Sequence, residues 1–364
     1  MPAYKYKTKD GKQLWYASFH YTDWKNEPKR KVKRGFSTRK EALEFERAFL
    51  DHGKKDPSLL FSTLAEEYTE DIASRLKPTT LQSKKHVINS KLIPAFRKTR
   101  VCDIDARKIR LWQNELMDYK DKKGNGYAQT YLRNIHSQMS AIMNYAVKYY
   151  GLAQNPCFVA GVMGKGRAGE MTIWSRDQFE SAMKYEKRSA FHAALYILFY
   201  TGMREGELLA LTPEDIPADQ HIIHINKNYA VVDGEEMFLT PKTECSIRDV
   251  PIHKKLHEEI QAYISGSGIE KDERIFYFRK DGLLSSVKKI ARKAELPQIR
   301  VHDLRHSHAS MLIEMGVPIT EISKRLGHDS PATTLRIYSH LYPGKERSIA
   351  DMLDQLHGEP DKDV

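Results

Sequence analysis

Five short stretches in the C-terminal half carry residue types that could do chemistry together. Thr201-Gly202-Met203-Arg204-Glu205-Gly206-Glu207-Leu208 leads a helix with an arginine near its start, and Thr240-Pro241-Lys242-Thr243 sits at a strand end. Val301-His302-Asp303-Leu304-Arg305-His306 puts a histidine and an arginine three apart, hence on one helix face. Leu326-Gly327-His328 ends a helix at a glycine, and ten residues later comes Ile337-Tyr338-Ser339-His340. Arginine is an always-charged fork that grips oxyanions. Histidine donates a bond or exchanges a proton near neutral pH. Lysine serves as an acid only where its surroundings lower its pKa. Taken singly, each stretch is weak: a helical arginine is ordinarily a surface or ion-pair residue, His-x-x-Arg is close to noise, and a lone tyrosine is ordinarily buried with its hydroxyl bonded. Order and spacing together make the signal specific.

In that order the residues resemble the tyrosine recombinase family, the integrases of phages and conjugative elements, whose catalytic domain runs Arg…Lys…His-x-x-Arg…His…Tyr. Arg204, Lys242, His302, Arg305, His328 and Tyr338 match with no departure, and the runs Gly-His-Asp-Ser-Pro-Ala-Thr-Thr-Leu and Tyr-Ser-His-Leu also look like integrase sequence. Glu207, one turn after Arg204, matches an acidic position that supports the arginine. The resemblance implies that Tyr338 attacks a DNA phosphate and forms a 3′-phosphotyrosyl bond. Arg204 and Arg305 suit the clamp on the nonbridging oxygens. His302 would assist the tyrosine's proton, His328 would bond the phosphate, and Lys242 would protonate the leaving 5′-hydroxyl. The ester conserves the phosphodiester bond energy, so no cofactor, ATP or metal is expected. Tyr342, four residues on, is the rival nucleophile, but the spacing after Gly-His favours Tyr338. His302, His306, His308, His328 and His340 cluster in sequence, yet no His-Glu-x-x-His motif, cysteine or carboxylate set completes a metal site.

These groups need elements to position them. Residues 170–364 read as a mixed α/β catalytic domain: helical patterns over 175–187 and 188–211, then strands at 222–225, 229–232, 237–239 and 247–252 with an Asp233-Gly234 hairpin turn, then helices from about 254. Residues 57–161 read as a helical core-binding (SAM-like) bundle, with Leu64, Tyr68 and Ile72 on one stripe and Ile135, Met139, Ile142, Ala146 and Tyr149 on another. Pro78 marks a helix start. Residues 162–169, rich in glycine with Lys165 and Arg167, read as a flexible linker able to cross DNA. Residues 1–56 read as a three-stranded sheet crossed by one helix. A turn falls at Lys9-Asp10-Gly11-Lys12. Trp15, Ala17, Phe19 and Tyr21 lie on one strand face, Thr38 and Glu41 have capping-box spacing, and Ala42, Phe45 and Phe49 form the helix stripe. The expected fold class is therefore mainly α with small β parts (α+β). Lys25, Lys29, Arg30, Lys31, Lys33, Arg34, Arg39 and Lys40 concentrate charge in this first segment. Such a run can be a solvated face, but a basic β-ribbon also fits a DNA major groove. By resemblance, it is an arm-type DNA-binding domain.

The 364 residues carry a net charge of +11, are 40% hydrophobic and 29% charged. That is a globular chain with a polyanion partner, double-stranded DNA first. Cys102, Cys157 and Cys245 lie far apart, which argues against a disulfide framework and fits a reducing bacterial cytoplasm. The opening MPAYKYKTKDGKQ lacks the apolar run of a signal peptide, and Ala193–Tyr200 is too short to span a membrane. The expected function is site-specific integration and excision of a mobile element by a homo-tetramer on core and arm sites. A directionality factor or host DNA-bending protein is a further partner. Ile349, Met352, Leu353 and Leu356 could dock the tail on a neighbouring protomer or on its own domain. The alternatives are a monomeric type IB topoisomerase and a DNA-binding regulator with a catalytic-type domain.

Overall fold

The computed structural model describes residues 3–7, 12–22, 28–52, 57–166, 171–241 and 243–339. Lys9-Asp10-Gly11, Lys25, Arg167, Lys242, His340, Tyr342 and the stripe from Ile349 to Leu356 lie outside the described residues, as does the side chain of Phe49. The chain forms two compact units, residues 1–168 and 169–364.

The first unit opens with antiparallel strands β1 (Ala3–Lys7), β2 (Gln13–Thr22) and β3 (Pro28–Phe36), in the order β1-β2-β3, crossed by helix α1 (Arg39–His52). Thr38 Oγ1 accepts the Glu41 N–H at 3.1 Å, and the Glu41 carboxylate reaches back to the Ser37 N–H at 2.9 Å, one residue further than a capping box requires. Ala17, Phe19 and Ala42 are buried between sheet and helix, with Trp15, Phe36 and Phe45 packed around them. Strand alternation alone would send Phe36 to the face of Arg34. A bulge prevents this: Tyr16 pairs with Arg34 and Trp15 with Phe36, so Gly35 is the extra residue. Its φ of +99° suits glycine, and the inserted residue returns Phe36 to the core.

The helical part of this unit comprises α2 (Phe61–Ala73), α3 (Pro78–Val87), a widened π turn (Ile88–Leu92), α4 (Ile93–Phe96), α5 (Ala106–Asp118), α6 (Gln129–Tyr150) and α7 (Pro156–Ala160). Pro94 accounts for the π turn: it supplies no N–H, and its ring crowds the carbonyl of Ser90, which lies inside the widened segment. Leu64, Ile135, Met139, Ile142 and Ala146 are fully buried, Tyr68 nearly so. The segment expected to be a free linker begins otherwise. Met163 is 1% exposed in the bundle core, and a Cβ on Gly164 would lie 2.2 Å from the Gln129 carbonyl oxygen, so residues 162–166 pack onto α6.

The second unit runs α8 (Arg176–Met183), α9 (Ser189–Thr201), α10 (Glu205–Leu208), β4 (Ile222–Ile225), β5 (Asn228–Val232), β6 (Glu235–Leu239), β7 (Arg248–Pro251), α11 (Lys254–Ser267), α12 (Lys280–Lys293), α13 (Asp303–Glu314), α14 (Ile319–Leu326) and α15 (Pro331–Tyr338). Strand β4 pairs with β7, and β5 with β6 through the two-residue turn Asp233-Gly234, whose φ values of +52° and +90° fit a tight hairpin. The helical pattern over 188–211 is not one helix. Gly202 ends α9 in the left-handed region, and the chain restarts at α10 with Arg204 as its N-terminal cap. The main core gathers Trp174, Phe179, Leu198, Phe199, Val287 and Ile290. A smaller cluster of Ala309, Ile313, Ile322, Leu326 and Tyr338 joins α13, α14 and α15.

Candidate active site

Two glycine-capped helix ends build the site. The carbonyl oxygens of Gly202 and Leu326, at the ends of α9 and α14, each accept a 2.7 Å bond from the Arg305 guanidinium. Helix α13 supplies Arg305 from its first turn, and the side chain is 3% exposed. Burial, then the nearby Arg204 charge, pulls the Arg305 pKa down to about 9, which leaves it charged at neutral pH. Arg204 bonds the Glu207 carboxylate at 2.7 Å and the Gly327 carbonyl at 3.3 Å, and over a third of its side chain remains exposed.

Glu207 is the charged pivot. Its carboxylate accepts the Arg204 backbone N–H at 2.9 Å and also pairs with Arg248 at 2.9 Å. Arg248 comes from β7, is nearly buried, and donates to the carbonyls of Arg325 at 2.7 Å and Ser246 at 3.0 Å. Burial pushes the Glu207 carboxyl pKa up; the charges and bonds of Arg248 and Arg204 outweigh it and hold the group below the usual range. Three guanidiniums (Arg204, Arg248 and Arg305) thus face one carboxylate, which leaves an electropositive site for an oxyanion. Each of Arg204 and Arg305 keeps N–H groups beyond the two bonds named, because a guanidinium carries five.

His328 follows Gly327 and bonds the buried Thr334 hydroxyl at 2.8 Å through Nδ1. Burial, Arg305 and Arg204 lower its pKa to about 4, so it is neutral at pH 7. His302 caps α13 and is exposed by area, yet desolvation by the surrounding protein first, then the charges of His306 and Arg305, lower its pKa to about 4. Tyr338 ends α15 at 1% exposure, and its hydroxyl lies 2.7 Å from Nδ1 of His306. Burial raises the phenol pKa above its ordinary value, against the opposing pull of Arg305. Tyr338 is thus held almost wholly away from solvent.

The structure therefore brings Arg204, Glu207, Arg305 and His328 together with Tyr338 in reach of the same charges, and sets His302 at the rim. Lys242 lies outside the described residues, just beyond β6. Two neighbours were not singled out from sequence. Arg248 looks like any strand arginine, and only the pairing of β7 carries it to Glu207. His306 was visible as the i+4 partner of His302, a spacing read there only as a metal pattern. Among the described residues, no group of three His, Cys, Asp or Glu side chains could hold a metal ion.

The basic strand divides between two faces. Lys29, Arg30, Lys31, Lys33 and Arg34 are all exposed. Arg34 lies 5.9 Å from the rings of Tyr6 and Tyr16 on the open face, where Tyr4 stacks on Tyr16, and Arg30 bonds Ser18 at 3.0 Å. Lys33 instead lies 4.5 Å over Phe45 on the α1 side, which Lys29 and Lys31 share by strand alternation. Lys165 is exposed at the end of the bundle.

This fold, with an arginine cluster facing a histidine-bonded tyrosine, is that of a DNA strand-transfer enzyme's catalytic domain, and comparison with known proteins gives the same class. The profile of the Phage integrase family matches residues 175–345, that of its N-terminal SAM-like domain residues 60–117, and that of an Arm DNA-binding domain residues 3–52. The chain is 33% identical to the ICEBs1 integrase of Bacillus subtilis (strain 168) over 341 residues, 88% of this chain and 91% of that protein. Its fold matches that of the Tn1549 transposon integrase in complex with transposon right end DNA, with a TM-score of 0.64 at 18% identity over 81% of this chain and 99% of that one. A lambda integrase tetramer bound to a Holliday junction matches with a TM-score of 0.53 at 16% identity, over 90% of this chain and 96% of that one. The chain belongs to the phage integrase family of tyrosine recombinases.

Proposed function

We propose that this protein is a site-specific recombinase that integrates and excises a mobile element through a 3′-phosphotyrosyl intermediate on Tyr338, with neither ATP nor a metal. The observation that carries it is the Tyr338 hydroxyl bonded to His306 within the field of Arg305. In the reaction, the Tyr338 oxygen attacks phosphorus and the bond to the 5′ oxygen breaks. Arg204 and Arg305 hold the nonbridging oxygens as charge builds on them. His302 assists the transfer of the Tyr338 proton, His328 donates a hydrogen bond to the phosphate, and Lys242 protonates the departing 5′ oxygen. A second strand's 5′-hydroxyl reverses the step, so the bond energy is conserved.

DNA as partner is supported by the arm-domain match over residues 3–52 and by the related integrase bound to transposon-end DNA. Exchange between two duplexes needs four sites; the lambda tetramer on a Holliday junction supports the same assembly here. The arm domain comprises residues 1–56, the core-binding domain 57–161, a connector 162–169 and the catalytic domain 170–364. Lys29, Arg30, Lys31, Lys33, Arg34, Lys165 and Arg167 contact DNA in this scheme.

The test is covalent trapping on nicked duplexes carrying the element's ends, in EDTA. The expected result is a protein–DNA adduct with wild type and none with Tyr338→Phe. An adduct that persists in the variant would move the nucleophile elsewhere, and none from wild type on DNA it binds would favour a regulator.

A further inference from the structure

The hydroxyl of Tyr338 bonds His306, one turn beyond the histidine of the His-x-x-Arg pair. In the tautomer with its ring proton on Nε2, His306 Nδ1 accepts the bond that the neutral Tyr338 phenol donates. His302 stands edge-on to His306, 5.1 Å between ring centroids, and lies on the exposed side of it. We propose that His306 is the base that takes the proton of Tyr338 as it attacks DNA, a role separate from that of His302. The inference rests on Tyr338 being the nucleophile.

The step balances within the site. The O–H bond of Tyr338 breaks, its proton passing to Nδ1 of His306 while its electron pair forms the new P–O bond. The P–O5′ bond breaks, and the 5′ oxygen takes a proton from a different donor, Lys242 in the scheme above. In rejoining, protonated His306 returns the proton to the tyrosine. The base must begin uncharged. Asp303, Arg305 and His302 face His306 from its own helix and its cap, Arg300 from the preceding loop, Tyr338 from α15 and His328 from the loop before α15. Burial first, then Arg305 and Arg300, lower the His306 pKa against the opposing pull of Asp303, so the ring is neutral at pH 7.

The experiment measures single-turnover adduct formation by the full chain on nicked duplexes, with His306→Ala, His306→Gln and His302→Ala beside wild type. A second substrate carries sulfur at the bridging 5′ position, whose thiolate leaves without a proton, so a defect in the leaving-group acid disappears on it. Loss of the base should slow both His306 variants about 10²–10³-fold on both substrates, with partial rescue of His306→Ala by imidazole. His306→Gln retains a hydrogen-bonding side chain that cannot take the proton, and it carries the test if His306→Ala fails to fold. Rates for His306→Gln within about threefold of wild type on the oxygen substrate would overturn the assignment, since a general base contributes far more. A defect erased by the sulfur substrate would also overturn it, placing His306 on the leaving-group side. An adduct absent even from wild type would instead remove the nucleophile reading itself.

Discussion

The Glu207 carboxylate is a structural charge as much as a functional one. It is 3% exposed and paired with two arginines, one of them nearly buried. Glu207→Ala removes the carboxylate that, among the described residues, pairs with both Arg204 and Arg248. The expected loss is about 3–5 kcal/mol, read from the urea midpoint of the second unit, because a buried charge is left unpaired. An unchanged midpoint would mean the cluster is solvated. His308 sets a second dependence. It is 1% exposed, its Nε2 accepts from Arg325 at 3.1 Å, and burial lowers its pKa to about 3. The folded chain thus refuses a proton that the unfolded chain takes up near pH ~6.5. Its contribution to stability is complete above that pH and declines as pH falls toward about 3, at no more than ~1.4 kcal/mol per pH unit. Urea midpoints between neutral pH and the acid side should fall with this slope, and His308→Gln should flatten it.

Elements matter here through where they stop. Gly202 terminates α9 at φ +65°, its carbonyl holds Arg305, and a Cβ there would lie 2.6 Å from the His308 ring and 2.7 Å from Leu326. Gly202→Ala should therefore destabilise the second unit by about 1–3 kcal/mol and slow adduct formation as well, since strain and the displaced carbonyl act together. Wild-type rate and midpoint in that variant would show that the turn relaxes freely. The apolar spacing of α2 and α6, the Asp233-Gly234 turn and the Gly327 stop were legible from sequence because each is a local pattern with its own physical cause. The interruption at Gly202 was legible only in part: Arg204 reads as lying near a helix start, but Leu198 and Leu208 on either side continue an apolar run that periodicity reads straight through. Likewise Arg204, Arg305, His328 and Tyr338 were legible as residues that come together, whereas which of His302 and His306 bonds the Tyr338 hydroxyl depends on which way one turn of α13 faces α15. No one-dimensional spacing records that.

At the scale of the molecule, the two units each own a buried core, the first around Phe61, Leu64 and Met139, the second around Trp174, Phe179 and Phe199. Residues 169–364 expressed alone are expected to unfold in one cooperative transition, and a broad, non-cooperative melt would mean that the second core depends on the first. The net charge of +11 implies that DNA affinity falls steeply with added salt; a binding constant flat between low and physiological salt would argue against phosphate contact as its source. Strand β3 is an outer strand of its sheet, exposed at every position but Phe36, with lysine or arginine at five of its nine positions. An outer strand offers its outward edge for a second copy to add on, and like charges along it repel that copy. Neutralising those cations to abolish DNA binding should thus create a chain that self-associates through its sheet edges, and the cations that would draw in DNA also keep the free protein dispersed.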